Sequence, residues 1–248
     1  MARPSSNEQG RSGSAKKKNT RRRGSTNFRK WVIRLVLFLV LLPPLLTVVY
    51  AVVPPASTLM LSRYAQFLWV DRQWKPIEQI SPNLVRSVIT SEDSDFCSHN
   101  GVDWGALEKQ IDTLISEGER PRGASTLTMQ TAKNLYLWGG RSYIRKGLEL
   151  PLAVVIDGIL TKRRIMEIYL NIAEWGEGIF GAEAAAQAWY GKSAKDLTRV
   201  EAARLATALP NPLRRNPARP SSGHRKLAAT NLARVKSAGP IFNCVLDP

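Results

Sequence analysis

One apolar run, LVLFLVLLPPLLTVVYAVV, covers nineteen residues from Leu35 to Val53 without a charge. At helical rise it is about 28 Å long, close to the ~30 Å hydrocarbon layer of a bilayer, so it predicts a single transmembrane helix over 35–53. Pro43 and Pro44 would be costly in a water-soluble helix, but they are tolerated in lipid, where neighbouring adjustments satisfy the freed carbonyls. A cleaved signal peptide has a shorter apolar region that ends in small residues at a cleavage site. This run ends instead in AVVPPAS, which predicts an uncleaved anchor. The Lys and Arg residues before it place the N-terminus in the cytoplasm and everything after Val53 outside.

From Pro54 onward the pattern changes to helical periods joined by short connections. Ser81-Pro82 supplies a cap and a first-turn proline, Asp103 caps WGALEKQIDTLISE, and Thr198 with Glu201 forms a capping box before AARLATAL. Ile165, Ile168, Tyr169 and Ile172 recur at helical spacing and predict a core helix. On that helix Glu167 and Asn171 lie four apart, as partners in buried hydrogen bonds between elements, and the Gly-rich turn after Trp175 ends it. RVEAARLATALPNPLRRNP reads as an Ala-rich packing helix stopped by Pro210 and Pro212. Strand signals are scarce, with no alternating β-branched runs and no Asn-Gly turns between such runs. The expectation is a mainly α protein, a single helical domain behind one N-terminal transmembrane helix.

Composition and charge refine this picture. The 248-residue chain is 44% hydrophobic, enough for a sizeable core. Of its net charge of +16, the first 34 residues carry +10, from eleven Lys or Arg against Glu8 alone. That block is rich in Ser, Gly and Asn and is nearly free of apolar residues before Phe28, which predicts a disordered tail. Such a cluster could suit nucleic acid, but beside a membrane span it is accounted for by topology and anionic headgroups, so no nucleic-acid partner is expected. The expected organisation is a basic cytoplasmic tail (1–34), the span (35–53), a membrane-proximal segment (54–80), a catalytic domain (81–220) and a C-terminal helix and tail (221–248). Cys97 and Cys244 could pair in an oxidising compartment or stand as free thiols.

Three stretches hold candidate chemistry. SEDSDFCSHNGVDW, Ser91 to Trp104, puts four acidic residues, a His and a Cys into a helix end and its loop, where catalytic groups concentrate. GASTLTMQTAKNLYL, Gly123 to Leu137, follows Arg120 and Arg122 and carries Ser125, Thr126, Thr128, Gln130 and Lys133. Its start is either an anion site built on a helix N-terminus or a simple cap by Ser125 and Thr126. In RSYIRKGLE, Arg141, Arg145 and Glu149 share one helix face, as an exposed salt-bridge ladder or as a holder for a charged substrate.

Taken in order, five motifs resemble glycosyltransferase family 51: E-D-x-x-F-x-x-H-x-G-x-D at Glu92–Asp103, G-x-S-T-x-x-x-Q-x-x-K-N at Gly123–Asn134, R-K-x-x-E at Arg145–Glu149, K-x-x-I-x-E-x-Y-L-N at Lys162–Asn171 and E-A-A-x-L-A-x-x-L-P-x-P at Glu201–Pro212. The resemblance covers about Ile80 to Pro217, and with the residues that follow it no transpeptidase domain is expected. Two positions depart from the family pattern, Ala124 where Gly is usual and Met129 where Gln is frequent, and both bear on fine substrate contacts.

The resemblance implies a lysozyme-like helical fold and a peptidoglycan glycosyltransferase of the bacterial inner (plasma) membrane. Such an enzyme polymerises lipid II by attack of an acceptor 4-hydroxyl on the donor's anomeric carbon, with inversion to a β-1,4 link. A sugar hydroxyl is a poor nucleophile, and Glu92 is the candidate base that takes its proton. Lys133, Arg141 and Arg145 would neutralise the departing pyrophosphate, and Glu149 is the second acidic residue beside it. Ser125, Thr126, Gln130, Asn134 and Lys146 complete the expected substrate contacts, while His99 and Asp103 shape the loop. No cofactor is required. A divalent cation could assist the diphosphate, though no ligand spacing specifies a site. Expected partners are lipid II, the growing glycan, membrane lipids and other cell-wall synthesis proteins. Two rival readings are a lysozyme-like hydrolase of the same glycan and a non-enzymatic wall scaffold. The basic stretches favour synthesis, since a hydrolase has no pyrophosphate to neutralise.

Overall fold

The computed structural model describes residues 21–117, 123, 125–140 and 142–247, and it divides between Leu41 and Leu42 into two compact units. Helix α1 runs Arg21–Tyr50 across that division, with Pro43 and Pro44 inside it. Its stretch Asn27–Tyr50 is long and apolar enough to cross a membrane. In the first unit the side chains of Phe28, Trp31 and Leu35 through Leu41 are exposed, as lipid-facing residues would be. Two expectations are corrected here. Residues 21–34, expected to be disordered, are helical, since α1 extends from the span towards the N-terminus as far as Arg21; residues 1–20 lie outside the described part. The helix also stops at Tyr50, and Ala51–Val53 form a turn ahead of Pro54 and Pro55, which cannot continue a helix.

The second unit begins with the last residues of α1 and continues through α2 (Thr58–Ala65), β1 (Asp71–Arg72), α3 (Pro82–Glu92) and α4 (Trp104–Glu117). There follow α5 (Leu127–Tyr136), α6 (Tyr143–Ile159), α7 (Lys162–Ile172), β2 (Glu174–Gly176) and β3 (Ile179–Phe180). The chain ends with α8 (Ala182–Tyr190), α9 (Arg199–Ala208), α10 (Ser222–Ser237) and α11 (Asn243–Leu246). The local caps form as their sequences predict. Ser81 Oγ accepts the Asn83 N–H ahead of Pro82, Asp103 Oδ1 accepts from Ala106 at 2.9 Å, and Thr198 and Glu201 close a capping box.

Helix α3 buries Leu84, Val85, Val88 and Ile89 against α9, whose Ala202, Ala203 and Ala206 are small enough to let the two backbones approach. Helix α10 packs on both, and Asn231 Nδ2 donates to Ser87 O at 2.9 Å. Helix α7 forms the other side of the core with Ile165, Ile168, Tyr169 and Ile172 buried, as their spacing predicts. The roles foreseen for Glu167 and Asn171 are met. Asn171 accepts the Lys75 N–H and donates to the Lys75 carbonyl, each at 2.8 Å, and Glu167 accepts from Ile77 at 3.0 Å.

A small sheet in the order β1-β3-β2 joins this core, with β1 parallel and β2 antiparallel to β3. Helix α7 therefore ends at Ile172, and Trp175 lies in a strand rather than at a helix terminus. Strands of two or three residues show too little alternation to be read beforehand. Their turn depends on Gly178, whose φ is +72° and whose missing Cβ would meet the Trp69 carbonyl at 2.8 Å. Cys97 and Cys244 are joined in a disulfide, which settles the alternative left open and ties the α3–α4 loop to α11.

Candidate active site

The loop after α3 separates its acidic residues by task. Asp93 turns inward: its carboxylate lies 3.0 Å from His99 Nε2 and accepts the Leu127 N–H at 2.8 Å. Phe96 is fully buried, and Lys162 donates to the His99 carbonyl at 2.6 Å while holding Asp157. At Gly101 φ is +82°, and a Cβ there would come within 2.6 Å of the Ala153 carbonyl, so only glycine lets the loop lie against α6. His99 and Asp103 thus hold the loop and the start of α4, as expected.

Glu92 is left facing the cleft. Its Oε2 accepts from Gln130 Nε2 and its Oε1 from Ser91 Oγ, both at 3.2 Å. Burial pushes its carboxyl above the usual range, and the two hydrogen bonds together with the nearby charges of Lys133 and Arg215 only partly oppose this. A carboxyl so held accepts a proton more readily than one in water, which is what a general base requires. Gln130 is itself oriented from behind by Tyr169, whose hydroxyl donates to Oε1 at 3.1 Å.

The start of α5 turns out to be capped rather than open to an anion. Thr126 is buried, accepts the Met129 N–H and donates to the Gly101 carbonyl at 2.6 Å, while Asp93 takes the N–H of Leu127. Its first-turn donors are therefore largely used by the protein, which leaves the cations of α5 and α6 as the candidates for holding an anion. Glu149, 3% exposed, pairs with Arg145 on one oxygen and with Lys146 Nζ at 2.8 Å on the other. Lys146 also donates to Ser125 Oγ. This is a built cluster with a buried carboxylate at its centre, not an exposed ladder. Lys133 feels both acids. Burial pushes its ammonium down, Arg145 and Lys146 add to this, and Glu149 and Glu92 oppose it. Asn134 is half-buried on α5, and its carbonyl accepts from Thr58. Arg141 lies outside the described residues.

Beside Glu92 is a cleft of about 270 Å³ lined by Glu92, Asp95, Asp103, Ser125, Thr126 and Arg234 among others. Two cations on this side were missed by sequence reasoning. Arg215, from the stretch read as packing, acts on Glu92 electrostatically and donates to the Thr207 carbonyl at 2.5 Å. Arg234 on α10 lines the cleft directly. Neither had a local signal, since each reaches the site only through the packing of α9 and α10 on α3. Among the described residues no group of three His, Cys, Asp or Glu side chains is arranged to hold a metal ion.

Comparison with known proteins identifies the family. The transglycosylase family model matches residues 60–236. A biosynthetic peptidoglycan transglycosylase of Brucella suis biovar 1 (strain 1330) is 52% identical over 215 residues, 86% of this chain and 96% of the relative. One of Agrobacterium fabrum (strain C58 / ATCC 33970) is 49% identical over 220 residues, 88% of this chain and 97% of the relative. One of Rhodopseudomonas palustris (strain TIE-1) is 54% identical over 208 residues, 84% and 88% of the two chains. With Glu92 and the Lys133–Glu149 cluster carried on a mainly helical domain, and with matches of this extent, the chain belongs to the transglycosylase family.

Proposed function

We propose that this chain is a membrane-anchored peptidoglycan glycosyltransferase that lengthens glycan strands from lipid II. The acceptor sugar sits in the cleft beside Glu92, which removes the proton of its 4-hydroxyl as the oxygen attacks the donor's anomeric carbon. The bond from that carbon to the lipid pyrophosphate breaks from the opposite face, giving inversion and a β-1,4 link. Negative charge grows on the leaving oxygen, and Lys133, Arg145 and Lys146 stabilise it more strongly in the transition state than in the bound donor. Glu149 holds Arg145 and Lys146 in place for that task. Gln130 on α5 donates to the base Glu92, while on α6 Glu149 holds Arg145 and Lys146 as a paired cation cluster whose charges, with that of Glu92, act on Lys133 of α5. That pairing of a partly buried carboxyl with a separate cation cluster is the observation that carries the reading.

The substrate is a lipid, which gives the α1 helix its purpose: a tether raises the enzyme's effective concentration at the bilayer surface. The N-terminus lies in the cytoplasm and the domain outside the plasma membrane. The basic residues before the span and a disulfide suited to an oxidising compartment both support this orientation. Membrane lipids and other cell-wall synthesis proteins are the partners this placement brings within reach.

Incubating the purified chain with labelled lipid II tests the proposal. Polymer is expected from the parent protein. From a folded Glu92→Gln variant the rate falls by about 10²- to 10⁴-fold, the typical contribution of general base catalysis. Fragments of pre-formed glycan would make the protein a hydrolase, and near-normal polymer from Glu92→Gln would remove Glu92 as the base.

A further inference from the structure

Behind Glu92 a chain of two hydrogen bonds leads into the core. Tyr169 on α7 is 2% exposed, and among the described residues its hydroxyl has one partner, Gln130 Oε1 at 3.1 Å. The other end of the same amide, Nε2, lies 3.2 Å from Glu92 Oε2. An amide can be turned either way in a site of its shape, but the two orientations are not equivalent here. A carboxylate only accepts. With the amide reversed, its carbonyl oxygen would face the Glu92 oxygen, two acceptors with no proton between them. The phenol completes the constraint, since burial and the nearby Glu92 charge push its own ionisation well above the ordinary tyrosine range and keep its proton available for donation.

We propose that Tyr169 is a positioning residue for glycosyl transfer: by donating to Gln130 Oε1 it turns the amide so that Gln130 Nε2–H is aimed at the base, Glu92. This rests on the reading of Glu92 given above. The hydrogen bond from Gln130 favours the ionised carboxylate, in opposition to burial. The relay thereby keeps the base deprotonated at a pH where burial alone would leave it protonated. Other groups act on Glu92 as well. Ser91 donates from its own helix, Lys133 acts from α5, and Arg215 from the segment after α9. Asp93, Asp95, Asp103 and Arg234 line the same cleft, and all of these are untouched by a change at Tyr169.

The test uses the full chain in detergent with labelled lipid II, measuring kcat and KM against pH for the parent, Tyr169→Phe, Gln130→Leu and the double variant. Thermal unfolding is followed in parallel. Losing a hydrogen bond to a charged group raises the carboxyl pKa, so the acidic limb of kcat is expected to move to higher pH by about one unit in each single variant. On that limb the rate falls up to about tenfold, while KM in Tyr169→Phe changes less than about twofold. The double variant should shift no further than Gln130→Leu alone, because Tyr169 acts through Gln130. A Tyr169→Phe protein with the parent's pH profile and only a lower unfolding temperature would overturn the proposal. So would shifts that add in the double variant, or a Tyr169→Phe chain that fails to fold, which would assign the hydroxyl to the fold alone. Glu92→Gln run alongside keeps the two readings apart: its retention of activity sinks the base, whereas an inactive Glu92→Gln with an unshifted Tyr169→Phe sinks only the relay.

Discussion

Asp93 Oδ2 accepts the backbone N–H of Leu127 at 2.8 Å, so the residue next to the proposed base joins Thr126 in capping the helix that carries Gln130 and Lys133. Asp93→Ala would leave that donor and His99 without their partner. The expected loss is about 1–2 kcal/mol of stability, read as a lower unfolding temperature. Asp93→Asn keeps an acceptor for Leu127 and should lose less. An Asp93→Ala protein as stable as the parent would show the cap to be dispensable.

Glu92 should make the folded protein less stable at neutral pH. Burial raises its carboxyl above the usual range, so the folded state holds the proton more tightly than the unfolded chain. Stability therefore falls as pH rises from the ordinary carboxylate value through the raised one, and above that the full cost remains. Glu92→Gln removes the cost. It should unfold at a higher temperature than the parent at pH 7, and the difference should vanish below about pH 4. Equal unfolding temperatures at both pH values would contradict the burial of this charge.

Glu149→Gln should damage both fold and donor binding. The buried carboxylate serves two cations, and removing one member of a buried pair typically costs about 3–5 kcal/mol. Lys146 is more exposed than Arg145, so the cost should lie at the lower end. Donor-analogue affinity is expected to fall more here than in Glu92→Gln. The comparison is made by titration of both variants with the same analogue.

Gly101→Ala combines a left-handed backbone with a Cβ placed 2.6 Å from the Ala153 carbonyl. A loss of about 2–4 kcal/mol is expected, with polymerisation falling in step because the loop positions Asp93 and α5. An alanine variant with parental stability would mean that α6 can withdraw to make room.

How legible all this was beforehand depended on the reach of each interaction. The caps at Ser81, Asp103 and Thr198 act over two or three residues and were visible as local spelling. The core face of α7 was visible because Ile165, Ile168, Tyr169 and Ile172 repeat at the helical period. Glu92 and the Lys133–Glu149 cluster were identified through ordered motifs. What separates Glu92 from Asp93 is the amide of Leu127, 34 residues further on, and no local pattern shows that contact. Arg215 and Arg234 were missed for the same reason. At the α5 N-terminus an anion site and a cap by Ser125 and Thr126 were equally open, because the second acceptor that decides it, Asp93, comes from another element. The sheet was invisible because its strands are too short for a period to develop.

The bond between Cys97 and Cys244 encloses 147 residues of chain separation, from the loop after the proposed base to the last helix. In covalent terms the domain from Cys97 to Cys244 is a ring, attached to α1 through the single stretch of backbone that carries α2, β1 and α3 and enters at Phe96. A single peptide cleavage anywhere within that ring opens it without releasing anything, since each new end stays connected to α1 by the chain or through the sulfurs. Detachment of the domain by one cut then requires cleavage between α1 and Cys97. A nicked enzyme would otherwise remain at the bilayer until the disulfide was reduced.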